Sequence, residues 1–151
     1  MNMDDLLKLL KETYEKELPF NRVLGLRIGG LSETAVTVHF DMRPDLVGNF
    51  VHGILHGGVI SAALDAAGGI VATAGVLRQM AAEDLEAAMA RIARIGTIDL
   101  RVDYLRPGKG ERFTVTGGPM RAGRKVAVVR TELKNESDVL IAVGTGTYIV
   151  G

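Results

Sequence analysis

The chain has no cysteine, no net charge and few aromatic residues, and each shortage closes off a class of function. Without cysteine there are no disulfides, no thiolate nucleophile and no cysteine-ligated zinc or iron–sulfur centre. Lys+Arg and Asp+Glu stand at 18 each, so no overall field draws the protein to DNA or to an acidic membrane. With aromatics at only 5%, there is little to stack nucleic-acid bases on, and no nucleic-acid partner is expected. The first residues, Met1 to Asp5, are acidic and lack the basic stretch and apolar run of a secretory signal, which points to a cytoplasmic location. What is present is the composition of a folded domain: 47% apolar and 24% charged residues over a length of 151, read as one domain spanning 1–151.

One window is long and apolar enough to suggest a membrane span. Between Val59 and Leu77 the sequence reads VISAALDAAGGIVATAGVL, with a single charge. Its apolar content is mostly alanine and glycine, Asp65 would be costly in lipid, and no basic flank precedes it. It reads instead as a helix over about 57–76, enclosed by its own fold.

The rest of the chain falls into a simple order. Leu6, Leu7, Leu10, Tyr14 and Leu18 recur at helical spacing over 3–18, ahead of Pro19. Residues 24–31 and 34–41 read as strands around a Ser32-Glu33 turn, the second alternating Val36, Val38 and Phe40 with polar residues. A loop is expected over 44–56. Leu85, Met89 and Ile92 mark a polar helix over 81–94. Strands then follow over 97–106, 111–120, 124–134 and 138–149. About six strands therefore share one very apolar helix. An antiparallel sheet curled around it would bury that helix, with Gly68, Gly69, Gly144 and Gly146 permitting close approach.

Chemistry concentrates in Asn49 to Gly58 and in Asp65. Gly57 and Gly58 fall where the apolar helix must begin, and a helix start offers free N–H groups and a partial positive charge. Such a start suits a carbonyl oxygen that gains negative charge during acyl transfer. Asp65 is the lone charge of that window, and a poorly hydrated carboxylate can serve as a base toward water or as a nucleophile. Eight helical residues separate Gly57 from Asp65, a rise of about 12 Å. The two cannot reach one carbon within one chain. If both act on the same acyl group, two copies must lie with these helices antiparallel, giving a twofold dimer with two composite sites. His52 and His56 form an HxxxH pair, but the glycines around them argue for a loop and no third ligand is evident, so no metal is expected.

The HGG triplet, the acid eight residues beyond its first glycine and the strand GTIDLRVDYLRPG together resemble the hotdog-fold acyl-CoA thioesterases of the phenylacetate-type (HGG…D) class. The FNRVLG opening and the helix at 81–94 are most similar to a bacterial branch acting on medium- and long-chain acyl-CoA. That resemblance implies an α+β hotdog fold, a homodimer or dimer of dimers, and no cofactor. It assigns Asp65 as catalytic carboxylate, Gly57 as the backbone donor to the thioester carbonyl and His56 as the histidine before it. It also places Asn49, within one residue, at a substrate-positioning asparagine, and Thr97 at a hydroxyl residue near the carboxylate. The chemistry fits, because a thiolate leaving group with a pKa of about 8–9 needs little acid assistance.

An acyl-CoA substrate carries phosphates, and between residues 96 and 130 eight Arg and Lys stand against three acids. Arginine is well matched to phosphate. Arg106 beside Pro107, and the Arg121, Arg124 and Lys125 hairpin, are the favoured contacts. Two other functions could use the same scaffold: a hydroxyacyl or enoyl thioester hydratase, whose proline-rich motif is not found here, and a non-catalytic acyl-CoA-binding module, which would have no use for Asp65.

Overall fold

The computed structural model describes residues 2–80 and 84–151. Helix α1 (Met3–Lys16) opens on a reciprocal cap: the Asn2 side chain accepts from the Asp5 N–H, and the Asp5 carboxylate accepts from the Asn2 N–H. This satisfies two of the donors a helix start leaves free. The chain then departs from the expected pattern. A short helix α2 (Pro19–Leu24) precedes the first strand, β1 (Arg27–Leu31), so residues 24–26 are not strand. Pro19 is preset for a first helical turn, and Gly25, at φ +70°, takes the left-handed conformation that ends it.

Strand β2 (Val36–Asp41) follows a turn closed by the Ser32 N–H donating to the Ala35 carbonyl. The expected loop over 44–56 is more ordered than anticipated. It holds a 3-10 turn at Pro44–Leu46 and a two-stranded ribbon of β3 (Val47–Asn49) and β4 (Ile54–Leu55). Helix α3 (Gly57–Met80) comes next and runs four residues beyond the expected end. A shorter helix α4 (Leu85–Ile92) is capped by Asp84, whose side chain accepts from the Ala87 N–H. The start of the expected 81–94 helix, residues 81–83, lies outside the described residues. The α4 face also differs: Ala88 is buried, while Leu85 and Met89 are exposed.

Strands β5 (Gly96–Tyr104), β6 (Arg112–Ala122), β7 (Val126–Asn135) and β8 (Leu140–Ile149) complete an antiparallel six-stranded sheet in the order β1-β2-β6-β7-β8-β5. The sheet wraps α3, giving the hotdog architecture expected from the sequence. Alternation does the work: in β2 Val36, Val38 and Phe40 are buried, and in β6 Phe113 and Val115 meet them, Phe40 stacking on Phe113 at 5.2 Å between ring centroids. The α3 residues Ile60, Leu64, Ala67, Ile70 and Val71 fill the concave side. Helix α3 is long and apolar enough to cross a membrane, yet 61% of its most apolar window is buried by this packing.

Candidate active site

His56 decides how α3 begins. Its backbone N–H donates to the Leu46 carbonyl at 2.8 Å, and its own carbonyl accepts from Val59 at 3.0 Å. Its ring Nδ1 accepts the Gly58 N–H at 2.8 Å, so the imidazole caps the helix as a serine or aspartate side chain would. That leaves the Gly57 N–H, at the helix tip, without an acceptor among the described residues. The Gly57 carbonyl accepts the Tyr104 hydroxyl at 3.1 Å, which fixes the tip against the end of β5.

Two turns further along α3, Asp65 meets the other end of the same strand. The Thr97 hydroxyl donates to Asp65 Oδ1 at 2.9 Å, and the Tyr148 hydroxyl donates to the same oxygen at 3.0 Å and to the Asp65 carbonyl at 3.2 Å. Both donors land on Oδ1, and no protein donor reaches Oδ2 among the described residues. The carboxylate is half-buried and lines a hollow of about 190 Å³ shared with Tyr14, Asn21, Gly69 and Thr97. Tyr148 is 2% exposed. Burial, and then the neighbouring Asp65 charge, push its phenol far above the ordinary range, so it remains a protonated donor.

Space for that phenol comes from glycine. A Cβ on Gly68 or on Gly146 would overlap the Tyr148 hydroxyl, so the small residues of helix and strand make a cradle for one aromatic ring. Gly144 faces Leu64 and Thr131 instead, and a Cβ on Gly69 would meet nothing within 4 Å.

The expected site residues therefore separate into groups. Asp65 and Thr97 come together. Gly57 and His56 come together one helical segment away, and Arg106 lines a cleft with Gly57, Tyr104 and Pro107, its turn fastened by the Leu55 N–H donating to the Gly108 carbonyl. Asn49 lies on the exposed ribbon, where its side chain accepts from the Val51 and His52 N–H groups and closes a turn. Arg121, Arg124 and Lys125 are exposed at the far end of α3, where Gln79 reaches the Ala122 carbonyl. Gln79 is fourteen helical residues past Asp65, a rise of about 21 Å.

Tyrosine was the signal that sequence reading passed over. The chain has three, and each hydroxyl bonds to α3: Tyr14 to Thr73, Tyr104 to Gly57 and Tyr148 to Asp65. In a chain so poor in aromatics, three polar rings converging on one apolar helix mark the site as clearly as the HGG triplet.

A six-stranded sheet around one apolar helix, with the carboxylate and the open helix tip both turned toward the edge strand, defines a hotdog-fold thioesterase. The thioesterase-superfamily profile matches residues 52–142, and the chain belongs to that superfamily. Among its relatives is the medium/long-chain acyl-CoA thioesterase YigI of Escherichia coli, 46% identical over 151 residues that cover 100% of this chain and 97% of that protein. A Shewanella oneidensis protein related to the thioesterase superfamily superposes with a TM-score of 0.94 at 45% identity, covering 99% of this chain and 97% of that one. The phenylacetic acid degradation protein PaaI of Thermus thermophilus superposes at 0.69 with 26% identity over 87% of this chain and 98% of its own.

Proposed function

We propose that the protein hydrolyses medium- to long-chain acyl-CoA to a free fatty acid and coenzyme A at a site shared by two copies of the chain. The observation that carries this reading is the carboxylate of Asp65, held through Oδ1 by Thr97 and Tyr148, with no protein donor on Oδ2 among the described residues. The name of the 46% identical E. coli relative supports the substrate class.

Strand β5 supports the dimer. Among the described residues it pairs only with β8 and its outer edge is bare, and Ile98 and Tyr104 are exposed on it. A strand with an unpaired edge is a template for a second copy. Antiparallel pairing of two β5 strands about a point between Leu100 and Arg101 sets Thr97 of one copy opposite Tyr104 of the other. Each Asp65 lies beside its own Thr97, and each Gly57 beside its own Tyr104. The twofold axis thus carries a Gly57 N–H to each Asp65 and spans the gap of about 12 Å that separates them in one chain.

In such a site the Gly57 N–H of one copy binds the thioester oxygen as it turns negative. In one course Asp65 of the other copy takes a proton from water, whose oxygen adds to the carbonyl carbon. The C–S bond then breaks, and the proton passes to the departing thiolate. In the other course the carboxylate itself adds to the carbon, the C–S bond breaks with coenzyme A leaving as thiolate, and water then hydrolyses the anhydride to the fatty acid and free Asp65, a released proton neutralising the thiolate. Solvent oxygen-18 incorporated into Asp65 in a single turnover distinguishes the second course. His56 holds the donor in place, and Arg106 at the Gly57 cleft contacts coenzyme A phosphate, with the Arg121, Arg124 and Lys125 hairpin as a further phosphate contact.

Thiol release measured over a series of acyl-CoA lengths tests the reading. Asp65→Asn keeps the shape and removes the base, so turnover should fall by at least a hundredfold, the lower end of general-base effects. Turnover retained within a few-fold refutes the assignment. Hydration of an enoyl thioester without thiol release would favour a hydratase, and tight acyl-CoA binding without either reaction would favour a binding module.

A further inference from the structure

The proposed substrate has an apolar tail, and α3 carries a path for it. Residues four apart share one helix face, and Asp65, Gly69, Thr73 and Leu77 form such a row. Directly after the carboxylate, Gly69 leaves open space above the helix. The next rung is closed. Thr73 donates its hydroxyl to the Gly69 carbonyl at 2.8 Å, so at the 2.8 Å contact with Tyr14 it is the tyrosine that donates. Tyr14 is thus a wall of the hollow at Asp65, and it is also a wall of a second hollow of about 280 Å³ between α1, α3 and α4. That second hollow is lined by Leu6, Leu10, Leu77 and Ile92, with Leu9 and Met89 at its rim, 48% and 50% exposed.

We propose that this second hollow receives the far end of the fatty acyl chain, and that Tyr14 is the partition a long chain must displace. The proposal rests on the thioesterase reading above. Lengths support it. From Asp65 the row rises about 12 Å to Thr73 and about 18 Å to Leu77. Single C–C bonds of about 1.5 Å at tetrahedral angles advance an extended chain by roughly 1.25 Å per carbon. About ten carbons therefore reach the Tyr14 partition and about fourteen reach Leu77. The occupant is apolar because the walls are, and it belongs to the same substrate because the two hollows meet at one side chain. Each methylene hidden there raises affinity roughly fourfold.

The experiment measures kcat/KM by thiol release for saturated acyl-CoA of four to sixteen carbons, with the full chain and the variants Met89→Trp and Leu9→Trp. Both side chains sit half-exposed on opposite walls, so an indole can fill the hollow from its rim, and thermal melts confirm that each variant is folded. The expected result is a fall of tenfold or more for fourteen- and sixteen-carbon chains, with eight carbons unchanged within twofold. An equal effect at every length, or none, overturns the tail assignment. So does a change of mass in light scattering with an unaltered length profile, which would make the hollow a contact between copies. If the unmodified protein cleaves these substrates and only the profile fails to shift, the tail placement alone is wrong. If it cleaves none of them, the thioesterase reading and this inference fall together.

Discussion

Replacing Tyr148 with phenylalanine isolates the hydroxyl that holds Asp65. The ring stays in the cradle of Gly68 and Gly146, and the only loss is the donor 3.0 Å from Oδ1 and 3.2 Å from the backbone carbonyl. A hydrogen bond to a charged group is worth about 1.5–3 kcal/mol, and the lower end applies because Asp65 is half-exposed and retains Thr97. For a chain of this length the unfolding entropy is about 0.3 kcal/mol per kelvin, so a loss of about 1.5–2 kcal/mol lowers Tm by about 5–6 °C. If the same bond keeps the carboxylate aimed during reaction, that energy corresponds to a fall in kcat of roughly 10- to 30-fold. KM should move less than twofold, since the hydroxyl is spent on Asp65 and the ring that remains keeps the shape of the hollow. The assay is steady-state thiol release beside a calorimetric melt. A variant with the expected Tm loss but kcat within twofold refutes the argument, because the bond would then stabilise the fold without positioning the carboxylate.

Other perturbations test neighbouring parts of the account. Thr97→Ser keeps the donor to Oδ1 and should retain kcat within about twofold, whereas Thr97→Ala should lower it by about tenfold, the cost of roughly 1.4 kcal/mol. Gly68→Ala drives a methyl group into the Tyr148 hydroxyl and should destabilise by about 1–3 kcal/mol in a denaturant melt, with activity falling alongside. Arg106→Glu should raise KM for acyl-CoA but not for a short acyl thioester lacking the nucleotide, and the Arg124→Glu/Lys125→Glu pair tests the far hairpin in the same way. Asp41 lies 3.1 Å from both Arg27 and Arg112, and their hydrogen bonds, Arg27 first, hold its carboxyl below the ordinary value of 3.8. A lowered carboxyl stabilises the fold above that value and ceases to as pH falls below it. The Tm difference between the unmodified protein and Asp41→Asn should therefore be present at pH 6 and shrink as the pH is taken below 3.8.

Local periodicity carried much of this protein into view. The apolar run with one acid announced α3, the alternation of Val36, Val38 and Phe40 announced a half-buried strand, and two glycines after His56 announced a helix tip with free donors. Periodicity failed where a short-range device overrode it. Pro19 and Gly25 bracket a six-residue helix between the expected helix over 3–18 and the expected strand over 24–31, delaying that strand to Arg27, and the 44–56 segment pairs with itself through a ribbon too short to show alternation.

By itself the sequence determined which residues are chemically equipped and that Gly57 and Asp65 stand too far apart on one helix to share a carbon, because helical rise is a local property. Only the tertiary structure decided what surrounds them. Thr97 is 32 residues from Asp65 and Tyr148 is 83, and both hydroxyls reach one oxygen because β5 and β8 pair Thr97 with Tyr148 beside α3. Strand register is set by packing between distant segments, and it alone brings two hydroxyls to Oδ1 while, among the described residues, no protein donor reaches Oδ2.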